Sequence, residues 1–283
     1  MKLSPEQLKG RIRLFSNKNS LRPQEVLQMF MFEQLLSRIE NSVYRNNFII
    51  KGGVLIASFV GVESRTTMDL DTTVKGIEMK EEYIKKVIVD ILKIKIDDSI
   101  LFEFQSISNI REEDDYDNFR VYIQAKFGKM SIPMKIDITT GDIITPKAID
   151  YMYPKMFETK CINIKAYPLA TILAEKYESV LKRNITTTRI RDFYDLYLLY
   201  KTKKELLDIN VFRLAVINTA TKRGSMLQIY DWKSIIEDIR DDYKLKNQWI
   251  NYLSENKYIS DINYDELVEC MKEIAIELNI TSK

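Results

Sequence analysis

Histidine is absent from this chain of 283 residues. Its absence excludes Ser-His-Asp and Cys-His triads, histidine-ligated zinc and any imidazole base. Acid–base chemistry is left to Asp, Glu, Lys, Tyr or metal-bound water. Cysteine is almost absent: Cys161 and Cys270 make no metal-ligand spacing and suit a reducing cytosol as free thiols. Long apolar runs are also missing. Val54–Val62 is the longest, far too short to span a bilayer. Met1–Arg13 is polar and charged, unlike a secretory leader, so a cytoplasmic protein without membrane contact is expected. Nor is there an excess of one charge. Lys and Arg total 43 against 41 Asp and Glu, and the net +2 gives no global signal for nucleic acid. Locally the balance shifts: residues 1–62 hold nine Lys/Arg and four Asp/Glu, and Arg111–Asp117 is strongly acidic.

What is present can build a core. Hydrophobic residues make up 45% of the chain, enough for one large or two ordinary domains. Ser4-Pro5 predicts the start of a helix over Leu3–Gly10, with Ser as N-cap and Pro in the first turn. Arg22-Pro23-Gln24-Glu25 opens another, with an apolar stripe to Ile39 that reads as core. Phe48-Ile49-Ile50, too short to classify alone, runs through Gly52-Gly53 into a buried helix at Val54–Val62. Asp69–Val74, Ile100–Ser106, Arg120–Phe127 and Ser131–Thr139 read as strands, and Glu78–Leu92 as an amphipathic helix. The acidic run between the middle two reads as a solvated loop. Beyond Tyr167-Pro168 helical patterns dominate, over Leu169–Lys182, Thr188–Tyr200, Lys204–Thr221, Lys233–Lys257 with a break, and Tyr264–Leu278. The expectation is an α+β chain: a mixed α/β domain at 1–160, then a helical domain at 161–283.

Three carboxylates stand out. Asp69 and Asp71 lie two apart in a strand, so both point to one face. At about 7 Å their repulsion is about 2 kcal/mol at an effective dielectric near 20. Asp137, between Ile136 and Ile138, adds a third charge. Hard oxygen donors without histidine favour Mg²⁺ or Mn²⁺. Upstream, Gly52 and Gly53 let backbone N–H groups approach a triphosphate at a helix N-terminus. Glycine turn, helix, Asp-x-Asp strand and a later lone Asp together supply what phosphoryl transfer needs: a phosphate cradle, metal ligands and a group beside the attacking hydroxyl. Taken singly, each part is also an ordinary turn or a solvated strand edge. A second group lies in the helical half. Lys176 falls within the apolar stripe Leu169, Ile172, Leu173, Tyr177, Val180, Leu181, and Asp192 and Asp195 share a face with Leu196 and Leu199. This is either an ion pair joining two helices or a lysine on a triphosphate oriented by an aspartate.

Phe48-Ile49-Ile50-Lys51-Gly52-Gly53 with Arg65-x-Thr67-x-Asp69-Leu70-Asp71 resembles the AbiEii/AbiGii toxin family of nucleotidyltransferases. So do Glu175-Lys176 and Arg191-Asp192-Phe193-Tyr194-Asp195-Leu196. The likeness covers roughly residues 20–200 and is nearest the streptococcal type; the last 80 or so residues resemble nothing nameable. It implies a polymerase-β-like fold with a helical C-terminal domain. It also implies the toxin of a type IV toxin–antitoxin system, tied to abortive infection against phage, that moves NMP from an NTP onto RNA, in some relatives a tRNA 3′ end, and halts translation. By this resemblance Gly52 and Gly53 bind phosphate, Asp69 and Asp71 hold metal, Lys176 matches a later motif, and Arg191, Asp192 and Asp195 the last. Lys51, Arg65 and Thr67 lie within the motifs and are assigned to nucleotide binding. Asp137 as third metal ligand comes from the strand pattern instead. The antitoxin is expected to act without direct contact, and the chain as a monomer.

Two other classes stay open: a transferase that modifies a protein or small molecule, and a nucleotide-binding module without chemistry. Asp69→Ala and Lys176→Ala are expected to abolish toxicity while leaving the fold intact.

Overall fold

The computed structural model describes residues 3–110, 118–259 and 262–281. The acidic run Arg111–Asp117 lies outside them. The chain divides into two compact units: Met1–Asp142 with Ala148–Tyr167, and Ile143–Lys147 with Pro168–Lys283.

The first unit is built on a seven-stranded mixed sheet. Its strands are β1 (Phe48–Lys51), β2 (Asp69–Val74), β3 (Leu101–Asn109), β4 (Phe119–Phe127), β5 (Met130–Thr139), β6 (Ile149–Pro154) and β7 (Cys161–Ala166), in the order β3-β4-β5-β2-β1-β7-β6. β2–β5 and β1–β7 pair in parallel. Alternation explains β4 and β5: Phe119, Val121, Ile123 and Phe127 are buried, as are Ile132, Met134, Ile136 and Ile138. A two-residue hairpin at Gly128-Lys129 joins them, and Gly128 takes φ +57° there.

Four helices complete this unit: α1 (Pro5–Lys18), α2 (Pro23–Glu40), α3 (Gly52–Val60) and α4 (Glu81–Leu92). Ser4 caps α1 in a reciprocal capping box with Gln7. α1 runs past Gly10, its expected end, because Ile12 and Ser16 continue the buried face of Leu8. α2 is buried along most of its length, polar residues included. Arg38 there makes two hydrogen bonds to Asp98 (2.7 and 3.0 Å), donates to the carbonyls of Gln34 and Ile100 and lies against the ring of Phe102, while its buried Nε makes no hydrogen bond.

Glu33 on α2 is 1% exposed and accepts the Met156 backbone N–H at 2.8 Å. Burial pushes its carboxyl up to about 8, outweighing that hydrogen bond and the Lys155 charge. Between the ordinary value of 4.5 and 8 the folded state therefore holds a proton that the unfolded chain has lost. Stability falls as pH rises through this window. Glu33→Gln removes the titration. Its unfolding free energy, relative to the parent, is expected to rise by roughly 3 kcal/mol between pH 5 and pH 8 in denaturant titrations. An unchanged difference between the two pH values would contradict the assignment.

The second unit is helical: α5 (Leu169–Arg183), α6 (Ile190–Lys203), α7 (Ile209–Lys222), α8 (Met226–Tyr230), α9 (Trp232–Asp241), α10 (Tyr243–Glu255) and α11 (Tyr264–Leu278). The expected break in the fourth helical run falls at Asp242, whose carboxylate caps α10 through Leu245 N–H. Residues 143–147 belong here because Thr145 exchanges two hydrogen bonds of 2.9 Å with Thr171 and accepts a third from Asn218. The boundary expected near residue 160 differs from the observed division: β7 pairs with β1, so the sheet extends to Ala166. β6 and β7 have no counterpart among the expected strands.

Candidate active site

The site of the first unit is laid out by strand register. Lys51 on β1 pairs with Asp71 on β2, Asp71 with Asp137 on β5, and Asp137 with Arg120 on β4. Register partners project to the same face, so four adjacent strands carry the row Lys51, Asp71, Asp137, Arg120. The next row holds Asp69 and Lys135. Adjacent carboxylates about 5 Å apart repel by about 3 kcal/mol at an effective dielectric near 20. The flanking cations offset this. Arg120 grips Asp137 with two hydrogen bonds of 2.8 and 2.7 Å, and the partnership holds the guanidinium above its ordinary value. Lys135 Nζ lies 2.7 Å from Asp69 Oδ1.

The glycine turn closes on this row. Gly52 takes φ +67°, and a Cβ there would overlap Asp71 Oδ2. A Cβ at Gly53 would come within 2.7 Å of Thr67 Cβ. Gly52 is thus fixed by contact with Asp71, and Gly53 by contact with Thr67, two residues before the Asp-x-Asp pair. α3 starts at Gly52, and no side chain caps it, so its first N–H groups lack intrahelical partners. Arg65, buried, hydrogen-bonds the carbonyl of Thr66, whose hydroxyl donates to Glu25 at 3.2 Å. Thr67 Oγ1 sits 3.4 Å from the Asp69 N–H it accepts.

Does this donor set fit a divalent cation? Asp69 Oδ1 is buried yet makes no hydrogen bond, because the Lys135 ammonium approaches it as an ion pair outside hydrogen-bond angles. A buried carboxylate oxygen held by an ion pair rather than by hydrogen bonds, beside a second carboxylate and a glycine cradle, suits a hard cation such as Mg²⁺. Asp69 and Asp71 fit; Asp137 has both oxygens committed to Arg120. Among the described residues no three Asp, Glu or Cys side chains are gathered into a metal cluster.

Asp142 was not singled out by the sequence. Its Oδ2 receives Lys51 Nζ at 2.5 Å, Thr73 Oγ1 at 2.6 Å, Thr139 Oγ1 at 2.9 Å and Tyr167 OH at 3.0 Å. Burial opposes its charge, but the Lys51 ammonium and these hydroxyls outweigh burial and hold its carboxyl well below the usual range. Lys51 also donates to Thr139 at 2.8 Å.

The second constellation lies wholly in the second unit. Lys176 on α5 meets Asp192 at 2.5 Å and Asp195 at 2.9 Å, both on α6. Burial disfavours its charge, yet the two carboxylates hold its pKa above the ordinary value. The ion pair joining two helices is therefore formed. Arg191, one residue before Asp192, is exposed.

A parallel-and-antiparallel sheet carrying a glycine turn against an Asp-x-Asp strand, followed by helices, is the arrangement of a nucleotidyltransferase. The chain belongs to the AbiEii family, described as nucleotidyl transferase AbiEii toxin of type IV toxin–antitoxin systems, whose family model matches residues 34–269. The match reaches into α11, well beyond the span of roughly 20–200 over which the sequence resemblance was drawn. Among solved structures, JHP933 from Helicobacter pylori is similar in fold, with a TM-score of 0.52 and 15% identity over 91% of each chain. An antigenic nucleotidyltransferase-like protein from Paracoccidioides brasiliensis covers 75% of this chain and 93% of its own, with a TM-score of 0.41 and 15% identity. No curated protein matches the chain. Among the described residues no helix is long and apolar enough to cross a membrane.

Proposed function

We propose that the chain transfers a nucleoside monophosphate from an NTP to an RNA hydroxyl, with a tRNA 3′ end as acceptor, and that this blocks translation. The observation that carries the reading is the contact between Gly52 and Asp71, which puts a phosphate cradle and a metal ligand side by side. The α3 N-terminus presents Gly52 and Gly53 N–H groups to the triphosphate, whose charge the helix end favours. Asp69 and Asp71 would hold Mg²⁺ or Mn²⁺, which when bound neutralises charge on the phosphate oxygens. Thr67 and Arg65 brace the turn from behind. Asp137 stands beside Asp71 on the acceptor side, and relieves the hydroxyl of its proton once Arg120 yields one of its oxygens. Within the second unit, Asp192 and Asp195 fix the Lys176 ammonium, and the family resemblance assigns Lys176 and Arg191 to nucleotide binding. The exposed basic residues of the stretch at 1–62, such as Lys9, Arg13, Lys18 and Arg22, contact acceptor phosphates. The antitoxin acts without touching the toxin, and the toxin works as a monomer in the cytoplasm.

The test is incubation of purified protein with each labelled NTP and total cell extract, followed by sequencing of RNA 3′ ends. Label on tRNA 3′ ends is the expected result. Label in protein or in a small molecule would overturn the RNA acceptor and leave a transferase of another class. NTP binding with no label in any species would leave a binding module.

A further inference from the structure

We propose that Asp142 is a positioning residue whose task is to keep the Lys51 ammonium off the Asp69/Asp71 pair. This rests on the reading of that pair as a cation site. Lys51 and Asp71 are register partners on antiparallel strands, with side chains on one face and Cβ atoms about 5 Å apart. Opposite charges so placed ordinarily pair. Here Lys51 instead extends to Asp142 at 2.5 Å and Thr139 at 2.8 Å, with Nζ 5.6 Å from the centre of the Tyr167 ring.

Asp142 can outbid Asp71 because it is anchored from four strands at once. Thr139 ends β5, Thr73 lies on β2, Lys51 ends β1 and Tyr167 follows β7, and these are adjacent in the sheet. The Tyr167 and Thr73 hydroxyls are 2.6 Å apart, and with one proton each they make two of the three hydrogen bonds among Thr73, Tyr167 and Asp142 at any moment. Gly141, at φ +76°, turns the chain after β5 so that Asp142 faces back over these strand ends.

The consequence concerns charge at the site. Lys135 already lies beside Asp69. An ammonium drawn onto Asp71 would reduce the negative charge of the carboxylate pair, and a divalent cation would then gain less by entering. Asp142 offers the Lys51 side chain another anion, a device for a lysine that sequence places one residue from the phosphate cradle.

Mn²⁺ binding to the full chain without nucleotide, read by loss of the free-ion electron paramagnetic resonance signal, tests this. Asp142→Asn keeps the size and one acceptor oxygen but drops the charge. It is expected to weaken Mn²⁺ binding about tenfold or more. Adding Lys51→Met to it is expected to restore parental binding, and Lys51→Met alone to bind no more weakly than the parent. A purely structural Asp142 would lower thermal stability without that recovery. Equal Mn²⁺ binding in parent and Asp142→Asn, or no recovery in the double variant, would overturn the proposal. A parent that binds no Mn²⁺ would instead refute the cation site, and this inference with it. Should Asp142→Asn fail to fold, Thr73→Val with Tyr167→Phe loosens the same anchor from the donor side. It carries the same expectation: weaker binding that Lys51→Met repairs.

Discussion

Asp71→Asn is expected to lower nucleotide transfer by on the order of a thousandfold, and Gly52→Ala by on the order of a hundredfold, for one shared physical reason. The carboxylate and the glycine occupy each other's contact surface, with no room for a single methyl group between them. Asparagine at 71 keeps the shape and loses the charge that a hard cation and a polyphosphate require; deletion of one such electrostatic group costs about 10²–10³ in rate. Alanine at 52 keeps the charge and loses the shape. At φ +67° an L-residue is strained by about 1–2 kcal/mol, and its Cβ pushes either the turn or the Asp71 carboxylate aside. A displacement of about 1 Å at a reacting centre costs on the order of 10²-fold. Initial rates of labelled-NMP incorporation into RNA, at saturating NTP, measure both. Near-parental rates in Asp71→Asn would remove this face of the sheet from the chemistry. Gly52→Ala near the parental rate would mean that the turn tolerates a Cβ and does not position phosphate. If Gly52→Ala instead loses activity only in proportion to a fall in folded fraction, the turn is structural alone.

Much of this site could be read in the chain because it obeys a two-residue period. Asp69 and Asp71 flank Leu70, and Asp137 lies between Ile136 and Ile138, so the carboxylates announce themselves, and β2 spans Asp69–Val74 as its pattern predicts. The same parity put Lys135 on the face of Asp137, and Arg120 could be placed by pairing β4 with β5, but isolated cations on alternating strands look like ordinary solvated positions. Asp142 was harder. It follows Thr139-Thr140-Gly141, which reads as a turn, and its partners Lys51, Thr73 and Tyr167 come from three other parts of the chain. Only the strand order brings them together. β6 and β7 were hidden for a related reason. Their cores are short and broken by Asp150, Asn163 and Lys165, and β7 becomes a strand by pairing in parallel with the distant β1. Local propensity does not carry such non-local pairing. In the helical unit the opposite holds: the 3.6-residue period of α5 and α6 already placed Lys176, Asp192 and Asp195 on buried faces.

That burial alters what a lysine deletion means. Lys176→Ala is expected to lower the stability of the protein by about 3–5 kcal/mol, because it leaves two carboxylates on buried faces without their shared cation. Asp195 is fully buried and Asp192 nearly so. The melting temperature is expected to fall by roughly 10 °C. The expectation of an intact fold in this variant is thus corrected, and loss of toxicity in Lys176→Ala would by itself prove nothing about catalysis. Lys176→Ala combined with Asp195→Asn separates the two roles. One charge of each sign is removed, and the double variant is expected to recover at least half of the lost stability, read by thermal unfolding followed by circular dichroism. A double variant that is stable but inactive in NMP transfer would place the Lys176–Asp195 pair in the reaction. One that is stable and active would make Lys176 the clasp between α5 and α6 and nothing more. No recovery of stability at all would show that the aspartates are satisfied without the lysine, against the geometry of the triad.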